Sequence, residues 1–79
     1  MIKVLFFGPV AERVGTGSLL VEHRRGLRMQ DLFDALSQLH PRAFDIVCFT
    51  AVDGVHVRDL SRILDDHSEV AFMARFSGG

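Results

Sequence analysis

Seventy-nine residues, 48% of them apolar, carry nine Lys and Arg against ten Asp and Glu, for a formal net charge of -1. Such a chain is one globular domain; it is too hydrophobic for a disordered tail. Its Lys and Arg read as scattered, not clustered, with no basic stripe for nucleic acid or an anionic membrane.

A lone cysteine, Cys48, leaves no partner for an intrachain disulfide, so the fold must stand on packing, which suits a reducing compartment. The longest apolar run, residues 4–10, is too short to span a bilayer. The start of the sequence has neither the charge pattern nor the cleavage site of a signal peptide, so the expected location is the cytoplasm.

Residues 1–7 (MIKVLFF) are rich in branched and aromatic side chains and stop at Gly8-Pro9, which predicts a strand. Alternation puts Ile2, Val4 and Phe6 on the core face, because Lys3 on the other face belongs in water. Leu5 and Phe7 then make the outer face unusually apolar. Gly15-Thr16-Gly17 is a turn signal, and residues 18–23 read as a second strand with Leu19 and Val21 inward. The hairpin between these strands would carry residues 10–14 in a long loop.

Met29, Leu32, Phe33, Leu36 and Leu39 recur at the three-and-four spacing of one helical face. Asp31 suits the positive end of that helix, whereas Arg28 offers no acceptor to cap it. His40-Pro41 marks the stop. Residues 48–52 (CFTAV) read as a third strand. Asp53-Gly54 is a strong hairpin signal, and residues 55–57 form the returning strand. Residues 60–64 suggest a brief helical turn and residues 65–68 a loop. Residues 69–76 (EVAFMARF) form a last strand, with Val70 and Phe72 inward and Ala71, Met73 and Arg75 outward.

Strands interrupted by one long helix indicate an α+β domain, with the helix packed across one face of a mixed sheet of four to five strands. The first and last strands, being the most hydrophobic, belong side by side at its centre. A β-grasp (ubiquitin-like) arrangement satisfies this order. The domain would occupy residues 1–76, leaving residues 77–79 as a flexible Ser-Gly-Gly tail.

MIKVLFF, Gly26-x-x-Met29-x-Asp31-Leu32, Val52-Asp53-Gly54, Leu64-Asp65-Asp66, Glu69-Val70-Ala71-Phe72 and Ser77-Gly78-Gly79 together resemble the molybdopterin synthase small-subunit family. More widely they resemble the MoaD/ThiS group of ubiquitin-like sulfur carriers. The chain departs from the family pattern at His67-Ser68, where a Gly-Asp turn is usual, and at Arg28, a place often held by threonine. It departs also at Ala74-Arg75-Phe76, where prolines often stiffen the approach to the tail through their fixed φ.

The resemblance implies a chemistry centred on Gly79. An E1-like, ATP-dependent adenylyltransferase would adenylate its carboxylate, and a sulfur donor would convert the acyl-adenylate to a thiocarboxylate. The molybdopterin synthase large subunit would then use that sulfur to build a dithiolene. The chain would bind no cofactor itself, the ATP belonging to the activating partner, and neither nucleic acid nor membrane is expected as a partner. Gly78 and Gly79 lack a Cβ, so the backbone can pass close to the walls of a narrow site. A carrier for thiamine or tRNA thiolation, and a β-grasp interaction module without sulfur chemistry, remain the other readings. In the family, the outer sheet face binds both partners, which implies docking roles for Leu5, Phe7, Met73, Arg75, Phe76, Ser77 and His56. Contiguous apolar surface of this kind marks a partner site.

His23, His40, His56 and His67 show no recurring ligand spacing with each other or with Cys48, so solvated or capping roles are expected and no metal site. Cys48 reads as a small core residue. Gly8-Pro9 and Gly15-x-Gly17 lack the Gly-Lys-Ser/Thr of a phosphate loop. No acid–base pair or nucleophile–base constellation appears that would make the chain an enzyme by itself.

Overall fold

The computed structural model describes residues 1–75 of the chain. Five strands form one mixed sheet: β1 (Ile2–Phe6), β2 (Ser18–Val21), β3 (Val47–Val52), β4 (Val55–His56) and β5 (Glu69–Ala74), in the order β2-β1-β5-β3-β4. β5 lies at the centre, parallel to β1 and antiparallel to β3. The helix α2 (Met29–Leu39) covers one face, as the apolar spacing predicts, with Met29, Leu32 and Leu36 buried. Leu39, assigned to the same face from its spacing, stands exposed at the helix end. The sheet and α2 form the β-grasp fold.

Side-chain alternation sets the core. Ile2, Val4 and Phe6 of β1 and Val70, Phe72 and Ala74 of β5 are all buried beneath the helices. Phe72 packs against the Phe44 ring at 4.9 Å and the Phe6 ring at 6.2 Å, and Phe33 meets Phe44 at 5.2 Å. Leu19 and Val21 of β2 pack on this cluster from the sheet edge while half exposed.

Several segments differ from the sequence expectations. The expected loop at residues 10–14 is part of a helix, α1 (Gly8–Val14), which buries Val10. Proline at the start and left-handed Gly15 at the end bound this helix, with Gly15 N–H donating to Ala11 O at 2.9 Å. β1 therefore ends at Phe6, and Phe7 becomes the residue before α1. β2 stops at Val21, two residues early. A short helix, α3 (Pro41–Phe44), follows the expected stop at His40 and delivers Phe44 to the core.

The turn expected at residues 60–64 is realised only at its start, where Arg62 N–H donates to Asp59 O at 3.2 Å. Beyond it the backbone pairs with the segment entering α2 and with its first turn: Met29 N–H donates to Arg62 O, Gln30 N–H to Leu60 O and Leu64 N–H to Leu27 O. The returning strand covers only Val55–His56, after a turn in which Asp53 and Gly54 both hold positive φ, as that dipeptide predicts.

Arg28 does not cap α2 with its side chain, a donor only. Asp31 does the converse job, its carboxylate accepting the Arg28 backbone N–H at 2.9 Å. That hydrogen bond, followed by the neighbouring Arg28 and Arg24 guanidiniums, holds the Asp31 carboxyl below its ordinary value.

Candidate functional site

Every residue on the face of the sheet opposite the helices follows from strand register. Leu5 pairs with Ala71, Ala71 with Ala51, and Ala51 with His56, giving one row across four strands. Phe49 pairs with Met73 in the next row. Phe7 extends this second row from the other side, since its N–H reaches Phe72 O at 3.4 Å. Alternation predicts Leu5, Phe7, Ala71 and Met73 on one outer face, and the register brings them together.

Phe7 is 46% exposed and Phe49 43% exposed, while Leu5, Ala71 and Met73 are half-buried between them. The result is a contiguous apolar surface flanking the C-terminal half of β5. Charged residues stand at its margins. Lys3 pairs with Glu69 at the start of β5, and Arg75 lies exposed one residue beyond its end.

Phe49 is the site residue that sequence reasoning missed. Its ring meets the His56 imidazole edge to face at 6.0 Å, which explains His56 on this face. Thr50 hid Phe49: a polar residue inside an apolar strand invites assignment to solvent, yet Thr50 is buried. Its hydroxyl donates to Val57 O at 2.6 Å, and Val57 N–H returns a bond to Thr50 O at 2.9 Å. With Thr50 inward, Phe49 and Ala51 must face outward.

Cys48 is exposed, contrary to its reading as a core residue. An irregularity between Val47 and Phe49 shifts the register there, so simple alternation fails for it. Cys48, Phe49 and His56 also border an open groove of about 710 Å³ along the free edge of β3, floored by Phe33 and Val57.

The histidines serve local roles. His23 Nε2 lies 3.0 Å from Leu64 O. His40 joins α2 to α3, and His67 is an exposed turn residue. Among the described residues no three His, Cys, Asp or Glu side chains gather as a metal-binding group, and no helix is long and apolar enough to cross a membrane. Gly78 and Gly79, with Phe76 and Ser77, lie outside the described residues.

What the geometry can do is present. The chain leaves the sheet from its central strand, with apolar surface on both neighbouring strands at the point of departure. A partner seated on that surface would lie next to whatever follows Arg75.

The ThiS family matches residues 4–79. None of the curated protein sequences matches. Among solved structures, SAMP1 from Haloferax volcanii superposes with a TM-score of 0.83 at 21% identity, over 99% of this chain and 98% of that one. A putative molybdopterin converting factor subunit 1 from Pyrococcus furiosus gives 0.82 at 21% identity, over 95% and 97%. The complex of subunits 1 and 2 of molybdopterin-converting factor from Helicobacter pylori gives 0.72 at 20% identity, over 99% and 97%.

Proposed function

The chain belongs to the ThiS family, and on that premise we propose that it is a cytoplasmic sulfur carrier, the small subunit of a molybdopterin synthase. The observation that carries the reading is the C-terminal end of β5. This central strand ends at Ala74 beside a contiguous apolar face, and Ser77-Gly78-Gly79 follows a few residues later in the sequence.

The Gly79 carboxylate is a poor electrophile. In the proposed cycle its oxygen attacks the α-phosphorus of ATP on an activating enzyme. Pyrophosphate leaves and an acyl-adenylate forms. Hydrosulfide from a sulfur donor then adds to the carbonyl, AMP departs carrying the displaced oxygen, and loss of the S–H proton leaves a thiocarboxylate. The chain's own contribution is positional: Phe7, Phe49 and Met73 seat the partner, and the glycines thread its site without a Cβ to clash. The large subunit is the proposed recipient of the sulfur. The complex of subunits 1 and 2 in the Helicobacter pylori converting factor supports a partner of that kind.

Intact-mass measurement after incubation with ATP, an activating enzyme and a sulfur source tests this directly. One oxygen should be exchanged for sulfur, and a single alanine appended after Gly79 should abolish the exchange while the circular dichroism spectrum stays unchanged. Undiminished transfer by the extended chain would defeat the mechanism. A second reading rests on the likeness to SAMP1, a small archaeal modifier protein: the activated carboxylate would be joined to a protein amine. Copurification with a large subunit favours the first reading, and recovery of the chain in isopeptide linkage favours the second.

A further inference from the structure

We propose that Arg24, Arg25, Arg28, Arg62 and Ile63 form a second docking surface, which takes an acidic, amphipathic segment of a partner protein. None of these residues lies on a strand of the sheet, and the inference does not depend on the sulfur-carrier reading.

Two loops far apart in sequence are tied together here. Leu64 N–H donates to Leu27 O at 2.7 Å and Met29 N–H to Arg62 O at 2.9 Å. Arg28 and Ile63 pair in an antiparallel bridge. Residues paired across such a bridge face the same side. Leu27 and Leu64 are buried, so Arg28 and Ile63 both stand in solvent. A turn with Gly26 at φ 81°, closed by Leu27 N–H to Arg24 O at 3.1 Å, presents Arg24 and Arg25 beside them. The arginines are therefore offered from a fixed backbone.

Their charge is poorly matched locally. Arg24 and Arg28 share one carboxylate, Asp31, at 3.8 and 3.5 Å, and that carboxylate also caps α2. Arg25 and Arg62 make no ion pair among the described residues, and nearby Asp59 accepts from the Ser61 N–H and hydroxyl instead. Arg24 and Arg28 thus share a carboxylate that is already engaged, and Arg25 and Arg62 have no ion-pair partner among the described residues, in a chain whose net charge is -1.

Guanidinium groups bind carboxylates and phosphates alike, in bidentate geometry. Ile63 decides between them. It is 60% exposed, next to Arg62 and paired with Arg28, where an apolar residue favours a polypeptide that carries acidic and apolar side chains together. Single-stranded nucleic acid would want aromatic platforms for its bases, and neither loop contains Phe, Tyr or Trp.

The test is a titration of the isotope-labelled full chain, followed by amide chemical shifts. Three probes are used: a synthetic peptide placing Glu and Leu at helical spacing, an all-Glu peptide of equal charge, and an oligouridylate of equal charge. The Glu-Leu peptide should bind tightest and shift the amides of residues 24–28 and 61–64. Arg25→Glu with Arg62→Glu should weaken it at least ~10-fold, and added salt should do likewise. Ile63→Ser should weaken the Glu-Leu peptide but leave the all-Glu peptide unchanged. The single Arg25→Glu variant, in an exposed turn, repeats the test should the double variant fold poorly. Absence of binding, shifts confined to the sheet, indifference to these substitutions, or an oligouridylate that binds as tightly as the peptide would each overturn the proposal.

Discussion

The two ends of β5 are built on opposite principles. Its start is fastened by polar bonds: Lys3 N–H donates to Ser68 O, Asp53 N–H to Glu69 O, and Glu69 N–H to the Asp53 carboxylate. His67 N–H bonds Met1 O, and the N-terminal ammonium bonds the Asp66 carboxylate at 2.6 Å. Its end is flanked instead by exposed Phe7 and Phe49, with Arg75 standing free in solvent. Anchoring by directional bonds fixes the strand in register at one end. The other end can then leave apolar surface uncovered without the strand slipping to bury it. The same strand serves as fastening and as presentation.

Phe72 joins the two ends, and its loss should break the comparison altogether. The side chain is fully buried among Phe6, Phe33 and Phe44. Phe72→Ala should cost about 3–5 kcal/mol through lost transfer energy and a residual cavity, read as a lower urea midpoint at unchanged slope. In so small a domain that is much of the total stability, and both docking and sulfur loading should fall with the folded population.

Met73→Glu, one residue away, should separate fold from docking. Its side chain lies on the open face beside Phe49, so stability should change by no more than about 1 kcal/mol. Affinity for the activating enzyme should drop at least ~10-fold, as expected for a charge placed within an apolar contact. Titration calorimetry beside urea unfolding checks both halves, and an unchanged affinity would move the docking face elsewhere.

Which parts of this arrangement the sequence revealed follows from the range of the forces involved. Period-two alternation in β1 and β5 named the core residues correctly, because a strand pinned at the sheet centre buries one face completely. The three-and-four spacing of Met29, Leu32 and Leu36 marked α2 for the same reason. The α1 helix is too short for periodicity to register, and its bounding signals, Pro9 and Gly15, resemble loop markers when met without the structure. Leu60, Ile63 and Leu64 have helical spacing, yet only the turn over residues 59–62 forms, and bonds to residues 27–30 draw Arg62 to Leu64 out of any helix, a tertiary preference overriding a local one. Phe49 was hidden by Thr50, whose polar side chain reads as solvent-facing and is buried instead, while an irregular register hid the exposure of Cys48. Arg24, Arg25 and Arg28 stand close together in the sequence, but Arg62 and Ile63 come from a second loop that only the 28–63 bridge brings to them.

The fastened end of β5 supplies the smallest and most selective test. Asp66 titrates below its ordinary value of 3.8, first because the N-terminal ammonium donates to it, with His67 adding a lesser attraction. Asp31 and Asp59 are lowered as well, by the Arg28 backbone N–H and by the Ser61 hydroxyl and N–H respectively. A carboxylate whose folded pKa is depressed stabilises the native state above its unfolded value. That contribution is lost as pH falls through the folded value. Asp66→Asn should therefore lower stability slightly near neutrality, and the variant and parent curves should converge as the medium becomes more acidic than the carboxylate range. Because the pair is half exposed, salt should shrink the difference. Urea unfolding across the acid limb measures it. Affinity at the open face should stay unchanged throughout, since Asp66 lies beyond the start of β5 and Met73 near its end; a parallel loss of docking would mean that the fastening also sets the shape of the exit.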